Sequence, residues 1–210
     1  MKNYTTIILD RSGSMQSIRD AAIAGFNDQL GSIQNKPDGL DVRFSMVSFS
    51  TTVDKPTYWL EDPQKAVPLT RETYVPDAST ALYDAVYQTA GSLQKVEDAD
   101  DKDTTFLTVI ISDGQENASK ISGEQLAEKI QELNKTGKWT FVYIGSNQDL
   151  AVVSKTLGIS YANTLAFNNT DQDTARAFSK MSSARTFYYK DVADGMLASN
   201  NFMEHDDEEK

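Results

Sequence analysis

The segment FLTVIISDG, residues 106–114, decides the fold class of this chain. It opens with an apolar run of strand length, the pattern of a strand that is covered on both faces. The polar residues Ser112, Asp113 and Gly114 follow directly. A strand buried on both faces belongs to a mostly parallel sheet with helices on either side, so the segment indicates an α/β protein.

Strand and helix patterns alternate along the rest of the chain. Strands are predicted at residues 4–9, 42–49, 106–111, 140–144 and 164–167, and residues 50–58 could return as an antiparallel strand. Helices are predicted at residues 18–34, 81–96, 122–136, 149–157 and 170–183. We expect Ser17 to cap the first helix, and a Ser-x-x-Gln capping box from Ser122 to Gln125 opens the third. This order predicts a doubly wound, mostly parallel sheet with one antiparallel edge strand and helices on both faces.

The composition excludes several classes of function. The chain has 210 residues, no cysteine and one histidine, His205, so thiol chemistry, cysteine-based metal sites and a Ser-His-Asp triad lack the necessary residues. A formal net charge of −11 makes nucleic acid and anionic membranes poor partners. No apolar run approaches the ~18 residues of a membrane span, and no secretory signal pattern precedes the first strand. We therefore expect a cytoplasmic protein.

Acidic residues concentrate in two short runs. Residues 97–103 and 204–210 each contain five acids and one lysine, a composition typical of a solvated loop and a frayed tail. We predict one domain over residues 1–192 and an acidic, disordered tail over residues 193–210. The tail carboxylates are also candidate competitors for a cation site in the same or a neighbouring molecule, although a solubilising role is the plainer interpretation.

Three polar segments lie at the carboxyl ends of predicted strands or at the start of the next helix. They are DRSGS at residues 10–14, STALYD at residues 79–84 and SDG at residues 112–114. Open α/β sheets bind ligands at this edge, where the strand order reverses. If the first strand and the strand at 106–111 flank that point, five side chains converge there: Asp10, Ser12, Ser14, Thr80 and Asp113.

These side chains offer only hard oxygen ligands, which indicates Mg²⁺, with Mn²⁺ or Ca²⁺ as alternatives. Two carboxylates against a dipositive ion leave the cluster near neutral, so the ion would accept a further carboxylate from outside. Singly, the residues have plainer interpretations, Thr80 as a helix N-cap and Asp113-Gly114 as a turn. Their joint placement on one sheet edge favours the metal site.

The same segments resemble von Willebrand factor type A domains. The resemblance covers residues 2–189 and is carried by LDRSGSM (9–15), STALYDAVYQT (79–89) and VIISDGQEN (109–117). The segment YIGSNQDLAVVSKTLGI (143–159) is similar to stand-alone prokaryotic and phage members of the family. The resemblance implies a metal-ion-dependent adhesion site at the five positions above.

Carried over by position, Ser12, Ser14 and Thr80 would contact the metal through their hydroxyls. Asp10 and Asp113 would hold its water ligands. The family often has glycines before the threonine, whereas Ala78 and Ser79 stand at those positions here. We therefore expect this loop to be less free to swing.

Four residues beside these loops are candidates for contact with a partner: Arg11, Tyr83, Ser146 and Asn147. Arg11 must point outward if Asp10 points into the site. Tyr83 lies close to Thr80 on the predicted helix, with core packing as the alternative. Ser146 and Asn147 follow a buried strand at the same edge, where a plain strand-to-helix turn is the alternative.

The function expected from this pattern is a divalent-metal-dependent protein-binding module, not an enzyme. An Asp or Glu of the partner would complete the coordination of Mg²⁺. The resemblance implies work beside ATPase chaperones or stress-resistance systems. The alternative is a metal-dependent hydrolase or phosphotransferase that uses the same ion, but the sequence has no Gly-x-Ser-x-Gly elbow and no Walker A lysine loop.

Overall fold

The computed structural model of the protein describes residues 1–113, 115–146, 150–167, 171–199 and 201–204. The strands within these residues are β1 (Lys2–Asp10), β2 (Asp41–Phe49), β3 (Tyr58–Glu61), β4 (Thr104–Ser112), β5 (Trp139–Ser146) and β6 (Thr164–Phe167). The α-helices are α1 (Arg19–Gln34), α2 (Leu82–Leu93), α3 (Gly123–Lys135), α4 (Leu150–Leu157) and α5 (Asp171–Ala193). Short 3-10 helices occupy Gly13–Ile18, Pro63–Lys65 and Tyr161–Asn163.

The strands form one sheet in the order β3-β2-β1-β4-β5-β6. β1 pairs in parallel with both β2 and β4, and Leu9 of β1 lies opposite Ile111 of β4. β3 pairs antiparallel with β2 at the edge. This is the predicted doubly wound sheet, with the edge strand at 58–61 rather than at 50–58. The strand order reverses between β1 and β4, so their carboxyl ends lie side by side.

Both faces of the sheet are covered. All nine residues of β4 are buried, as the apolar segment at 106–111 predicts. Its alternate residues enter two apolar clusters: Leu107 and Val109 pack on the face of α1 and α5, and Phe106 and Ile110 on the face of α2, α3 and α4. No helix in the described ranges is long and apolar enough to cross a membrane.

Helix boundaries follow the local capping chemistry. The predicted box at the start of α3 is present, because the Ser122 side chain accepts from Gln125 N–H while the Gln125 side chain accepts from Ser122 N–H. The Ser17 cap is not formed: α1 begins at Arg19 after a 3-10 turn, and Ser17 Oγ instead donates to the carbonyl of Ser14. That 3-10 turn is the continuation of the DRSGS loop into the helix.

The packed part of the chain continues beyond the predicted boundary at residue 193. Phe202 and Met203 are buried, and the ring of Phe202 lies 5.4 Å from that of Tyr188. The side chain of Asn163 accepts from Phe202 N–H and donates to the carbonyl of Phe141. Two apolar side chains from the predicted tail therefore belong to the packed core. Residues 205–210 of the predicted tail lie outside the described residues.

Helix α5 docks on the sheet and on α1 through polar as well as apolar groups. Tyr188 and Tyr189 reach Asn3 and Thr5 of β1. Arg185 is fully buried and donates from Nη1 to the carbonyl of Gln29. Its Nε and Nη2 find no hydrogen-bond partner in the described part of the chain. Burial lowers the pKa of Arg185 to about 10, because the charged form loses its hydration.

We expect Arg185→Met to stabilise the fold. A buried charge with unsatisfied donors is less favourable than an apolar side chain of similar volume. Replacing buried charged groups in this way raises the free energy of unfolding by about 1–4 kcal/mol. Urea unfolding of the two proteins measures the difference. Arg176→Met, on the exposed side of the same helix, should change stability by less than about 0.5 kcal/mol. If Arg185→Met is less stable than the wild type while Arg176→Met is unchanged, the expected cost of burying Arg185 is contradicted.

Candidate metal site

The Asp10 carboxylate joins the ends of β1 and β4. Its Oδ1 accepts from the backbone N–H of Ser12 at 2.6 Å, and its Oδ2 accepts from Ser112 Oγ at 2.5 Å. The side chain is fully buried. Its backbone carbonyl accepts from the hydroxyl of Tyr74 at 2.6 Å. Asp10 is thus held on three sides at the point where the strand order reverses.

A row of hydroxyls leads from this carboxylate to the second one. Ser12 Oγ lies 3.1 Å from Ser14 Oγ, and Ser14 Oγ donates to Asp113 Oδ1 at 2.7 Å. Ser12 is buried, whereas Ser14 is exposed. Four of the five predicted metal ligands therefore form one continuous, hydrogen-bonded set that opens to solvent.

The fifth predicted ligand, Thr80, lies in the loop before α2. This loop packs against the DRSGS loop, which carries Ser12 and Ser14. Gly13 N–H donates to the carbonyl of Ala78 at 3.0 Å, and Asp77 N–H donates to that of Arg11 at 2.7 Å. Thr80 is buried, and helix α2 starts two residues later with Ala81 at its N-cap position. Its interpretation as the helix N-cap is therefore wrong. The loop is docked by backbone contacts on both sides of the Gly13 turn.

The electrostatics of the site favour a cation. The hydrogen bonds of the Asp10 carboxylate come from neutral donors, Ser12 N–H and the Ser112 hydroxyl. Burial raises the pKa of Asp10 from 3.8 to about 6, those hydrogen bonds oppose the shift, and the nearby carboxylate of Asp113 adds to it. A dipositive ion would favour the ionised form of both acids. The residues present therefore fit a hard divalent cation.

The donor set is mixed. Within the described ranges, no cluster of three or more histidine, cysteine or carboxylate side chains is placed to hold a metal ion. A cation at this edge would therefore depend on the hydroxyls of serine and threonine as well as on the two carboxylates. Oxygen ligands of this kind suit Mg²⁺ and Mn²⁺, which keep some of their water ligands.

The candidate partner residues are placed less uniformly. The guanidinium of Arg11 is paired with Asp54 at 2.5 and 2.8 Å, so it is already engaged within the molecule. Tyr83 is half-buried between α2 and α3, where a Cβ on Gly123 would lie 3.4 Å from its ring. The side chain of Ser146 and all of Asn147 lie outside the described residues.

Several residues that support the site were missed by sequence reasoning. Ser112 and Tyr74 fix Asp10. Asn117 accepts from Thr80 N–H, and Glu116 accepts from Tyr83 N–H in the first turn of α2. Ser112, Glu116 and Asn117 stand within the SDGQEN motif, so their nearness to Asp113 was a usable signal. Tyr74 lies in an irregular segment with no pattern, and only the folded chain brings it under the site.

Ala78 adopts a left-handed backbone conformation, with φ of 64°. This is one of the two positions at which the family often has glycine. Glycine takes this conformation readily, whereas a Cβ makes it unfavourable by about 1–2 kcal/mol. The loop therefore keeps the backbone path of a glycine while carrying a methyl group.

No protein-family model matches the sequence, and no curated protein matches it either. Solved structures do match. Proximal thread matrix protein 1 from the mussel byssus has a TM-score of 0.58 and 14% identity over 88% of this chain and 46% of its own. The same mussel protein, solved with a zinc-occupied MIDAS motif, matches with a TM-score of 0.53 and 17% identity over 91% of this chain and 45% of its own.

Two further structures agree with this result. Manganese-loaded TRAP protein from Plasmodium vivax has a TM-score of 0.60 and 15% identity over 83% of this chain and 71% of its own. A von Willebrand factor type A protein from Catenulispora acidiphila has a TM-score of 0.56 and 15% identity over 88% and 43%. The chain spans less than half of the mussel protein. These similarities show that the chain described here has the fold of von Willebrand factor type A domains.

We expect Ala78→Gly to stabilise the protein. Removing the Cβ relieves the left-handed strain, and the larger entropy of the unfolded chain offsets part of the gain, leaving up to about 1 kcal/mol. Chemical denaturation in EDTA measures the change. Ala66→Gly is the control, since its φ of −76° carries no such strain, and it should lower stability. Equal losses in both variants would contradict the strain at Ala78.

The raised pKa of Asp10 predicts a pH dependence of the metal-free protein. Because the folded state holds this proton more tightly than the unfolded state, the contribution of Asp10 to stability is full below about pH 4 and is lost as the pH rises towards 7. Asp10→Asn stays neutral, so its stability relative to wild type should increase by about 3 kcal/mol over that range.

Urea unfolding in EDTA at several pH values tests this prediction. A saturating divalent cation should remove the advantage of Asp10→Asn at pH 7, because the cation stabilises the ionised wild type. A stability difference that is constant with pH would contradict the assigned burial of Asp10.

Proposed function

We propose that this chain is a divalent-metal-dependent protein-binding module. The observation that carries the proposal is the hydrogen-bonded set from Asp10 through Ser12 and Ser14 to Asp113. Two carboxylates and two hydroxyls converge at the solvent-open carboxyl edge of the sheet, between the strands where the chain order reverses. The zinc- and manganese-bearing structures of the same fold support a cation at such an edge.

In this proposal the metal is Mg²⁺ and its holders are the predicted ligands. Ser12, Ser14 and Thr80 offer hydroxyl oxygens, and Asp10 and Asp113 offer carboxylates that hold water ligands. When bound, the metal supplies an electrophilic centre that accepts one further oxygen ligand. An Asp or Glu of a protein partner is that ligand, because carboxylate is the hard anionic group that proteins present.

The surroundings favour binding over catalysis. Asp10 is buried beneath the hydroxyls, and the carboxylate of Asp113 accepts from Ser14, so both acids are engaged in holding the site. Exposed residues of the two adjacent loops include Ser14, Asp77 and Ala78, and the one basic side chain of the DRSGS loop, Arg11, is already paired with Asp54. A phosphoester or other anionic substrate larger than a carboxylate would meet like charge here, whereas a carboxylate that enters the coordination shell is compensated by the metal.

The metal site is tested with Mn²⁺, whose free ion is measured by electron paramagnetic resonance. We expect the wild type to bind one Mn²⁺ that Mg²⁺ displaces, and Asp113→Ala to lose this binding because one of two carboxylates is gone. Asp77→Ala is the matched control, since this exposed acid lies in the adjacent loop and contributes a backbone contact. Equal binding by all three proteins would overturn the site.

Partner binding is tested separately. Lysate of the source organism is passed over immobilised wild type and Asp10→Ala, each in Mg²⁺ and in EDTA. A protein retained by wild type in Mg²⁺ alone, and lost when its acidic residues are replaced, supports the proposal. The same proteins in all four samples would contradict it. Mn²⁺-dependent phosphoester turnover that disappears in Asp113→Ala would instead favour the hydrolase.

A further inference from the structure

We infer that Asn117 is a positioning residue that sets the hydroxyl of Thr80 relative to Asp113. Asn117 is not one of the expected metal ligands, and its role is to bind the backbone of one. The inference rests on the proposed metal site, and it explains how a ligand from the loop before α2 keeps a fixed place beside ligands from β1 and β4.

The contact between the two loops is made on both sides of Thr80. Asn117 Oδ1 accepts from Thr80 N–H at 2.9 Å. The N–H groups of Asn117 and Ala118 donate to the Thr80 carbonyl at 3.0 and 3.2 Å. The peptide groups before and after the Thr80 Cα are therefore both fixed, which fixes the direction of its Cα–Cβ bond.

A third contact holds the same peptide from the other side. Ala81 N–H donates to the carbonyl of Ser50, just after β2, at 2.7 Å. Thr80 thus lies between the loop after β2 and the loop after β4. Of these contacts, the one through Asn117 Oδ1 alone uses a side chain, so it can be removed by substitution while the backbone contacts stay.

The segment around Asn117 is held by further hydrogen bonds, within itself and to α2. The Glu116 carboxylate accepts from the N–H groups of Ala118 and Ser119 at 2.8 and 2.7 Å and from that of Tyr83, in the first turn of α2, at 3.0 Å. Ser119 Oγ accepts from Asp84 N–H at 3.0 Å. These groups cap a helix whose own N-cap residue, Ala81, has no side-chain oxygen. The turn that presents Asn117 is therefore anchored to the helix that follows Thr80.

Asn117 also lies in the same loop as Asp113, one of the predicted metal ligands. It stands four residues after Asp113 in the same loop, so a single segment supplies one carboxylate and holds the backbone of one hydroxyl. Outer groups that orient metal ligands change metal affinity about 10–100-fold when they are removed. The loop after β4 then sets the spacing of the site as well as contributing to it.

The test is Mn²⁺ affinity of Asn117→Ala compared with its unfolding temperature in EDTA. We expect affinity to fall at least about tenfold, while the unfolding temperature changes little because the backbone contacts to the Thr80 carbonyl remain. Asn117→Asp keeps the acceptor and should restore affinity. Asn117→Ala combined with Gln115→Glu adds a charge to the same exposed loop without the acceptor, and should not restore it.

Asn163→Ala is the structural control. It removes hydrogen bonds to Phe141 and Phe202 without touching Thr80 or the loop of Asn117, so it should lower the unfolding temperature and leave Mn²⁺ affinity unchanged. If Asn117→Ala binds Mn²⁺ as tightly as the wild type does, the role of Asn117 is overturned, while the proposed metal site is not. Rescue by Gln115→Glu as complete as by Asn117→Asp would also overturn it. Absence of Mn²⁺ binding by the wild type would overturn the proposed function and this inference together.

Discussion

The buried carboxylate of Asp10 is the constraint around which the site is organised. It stands at the end of β1, where it accepts from Ser12 N–H in its own loop and from Ser112 at the end of β4. A buried carboxylate must be surrounded by donors or by a cation. Asp10 has neutral donors, but they offset only part of the effect of burial, which raises the pKa of this carboxylate. This one group therefore joins the loop after β1 to the end of β4.

The loop that carries Thr80 is held beside the Asp10 loop by backbone hydrogen bonds. It packs on Gly13 through the carbonyl of Ala78, which itself adopts a left-handed conformation. Asp77 N–H donates to the carbonyl of Arg11 on the same side, and Asn117 fixes the other end of the loop. The three loops of the site, which follow β1, precede α2 and follow β4, are therefore held in place before any ligand binds. This limits the conformational entropy that is lost on binding.

The sheet was predictable from the sequence because its signals are local and strong. The apolar run at 106–111 and its alternation with helical patterns indicate a parallel sheet, and the polar ends of its strands indicate the site. The packing at Phe202 was missed because two apolar residues beside an acidic run carry no periodic signal. Tyr74 and Asn117 were missed as supports because their contacts join segments distant in sequence. The Ser17 cap failed because the DRSGS loop winds directly into a 3-10 turn.

The amino-terminal end of β1 lies at the edge of the sheet opposite the Asp10 loop. Lys2 begins β1 beside Asp103, and a strand of nine residues separates the two edges by about 26 Å. Met203 lies nearer the middle of the sheet, because it pairs with Ala162 just before β6, and the first residue of β6, Thr164, pairs with Tyr143 of β5. A support attached ahead of Lys2 would therefore stand about one strand length from the hydroxyl-lined face and leave that face open to a partner.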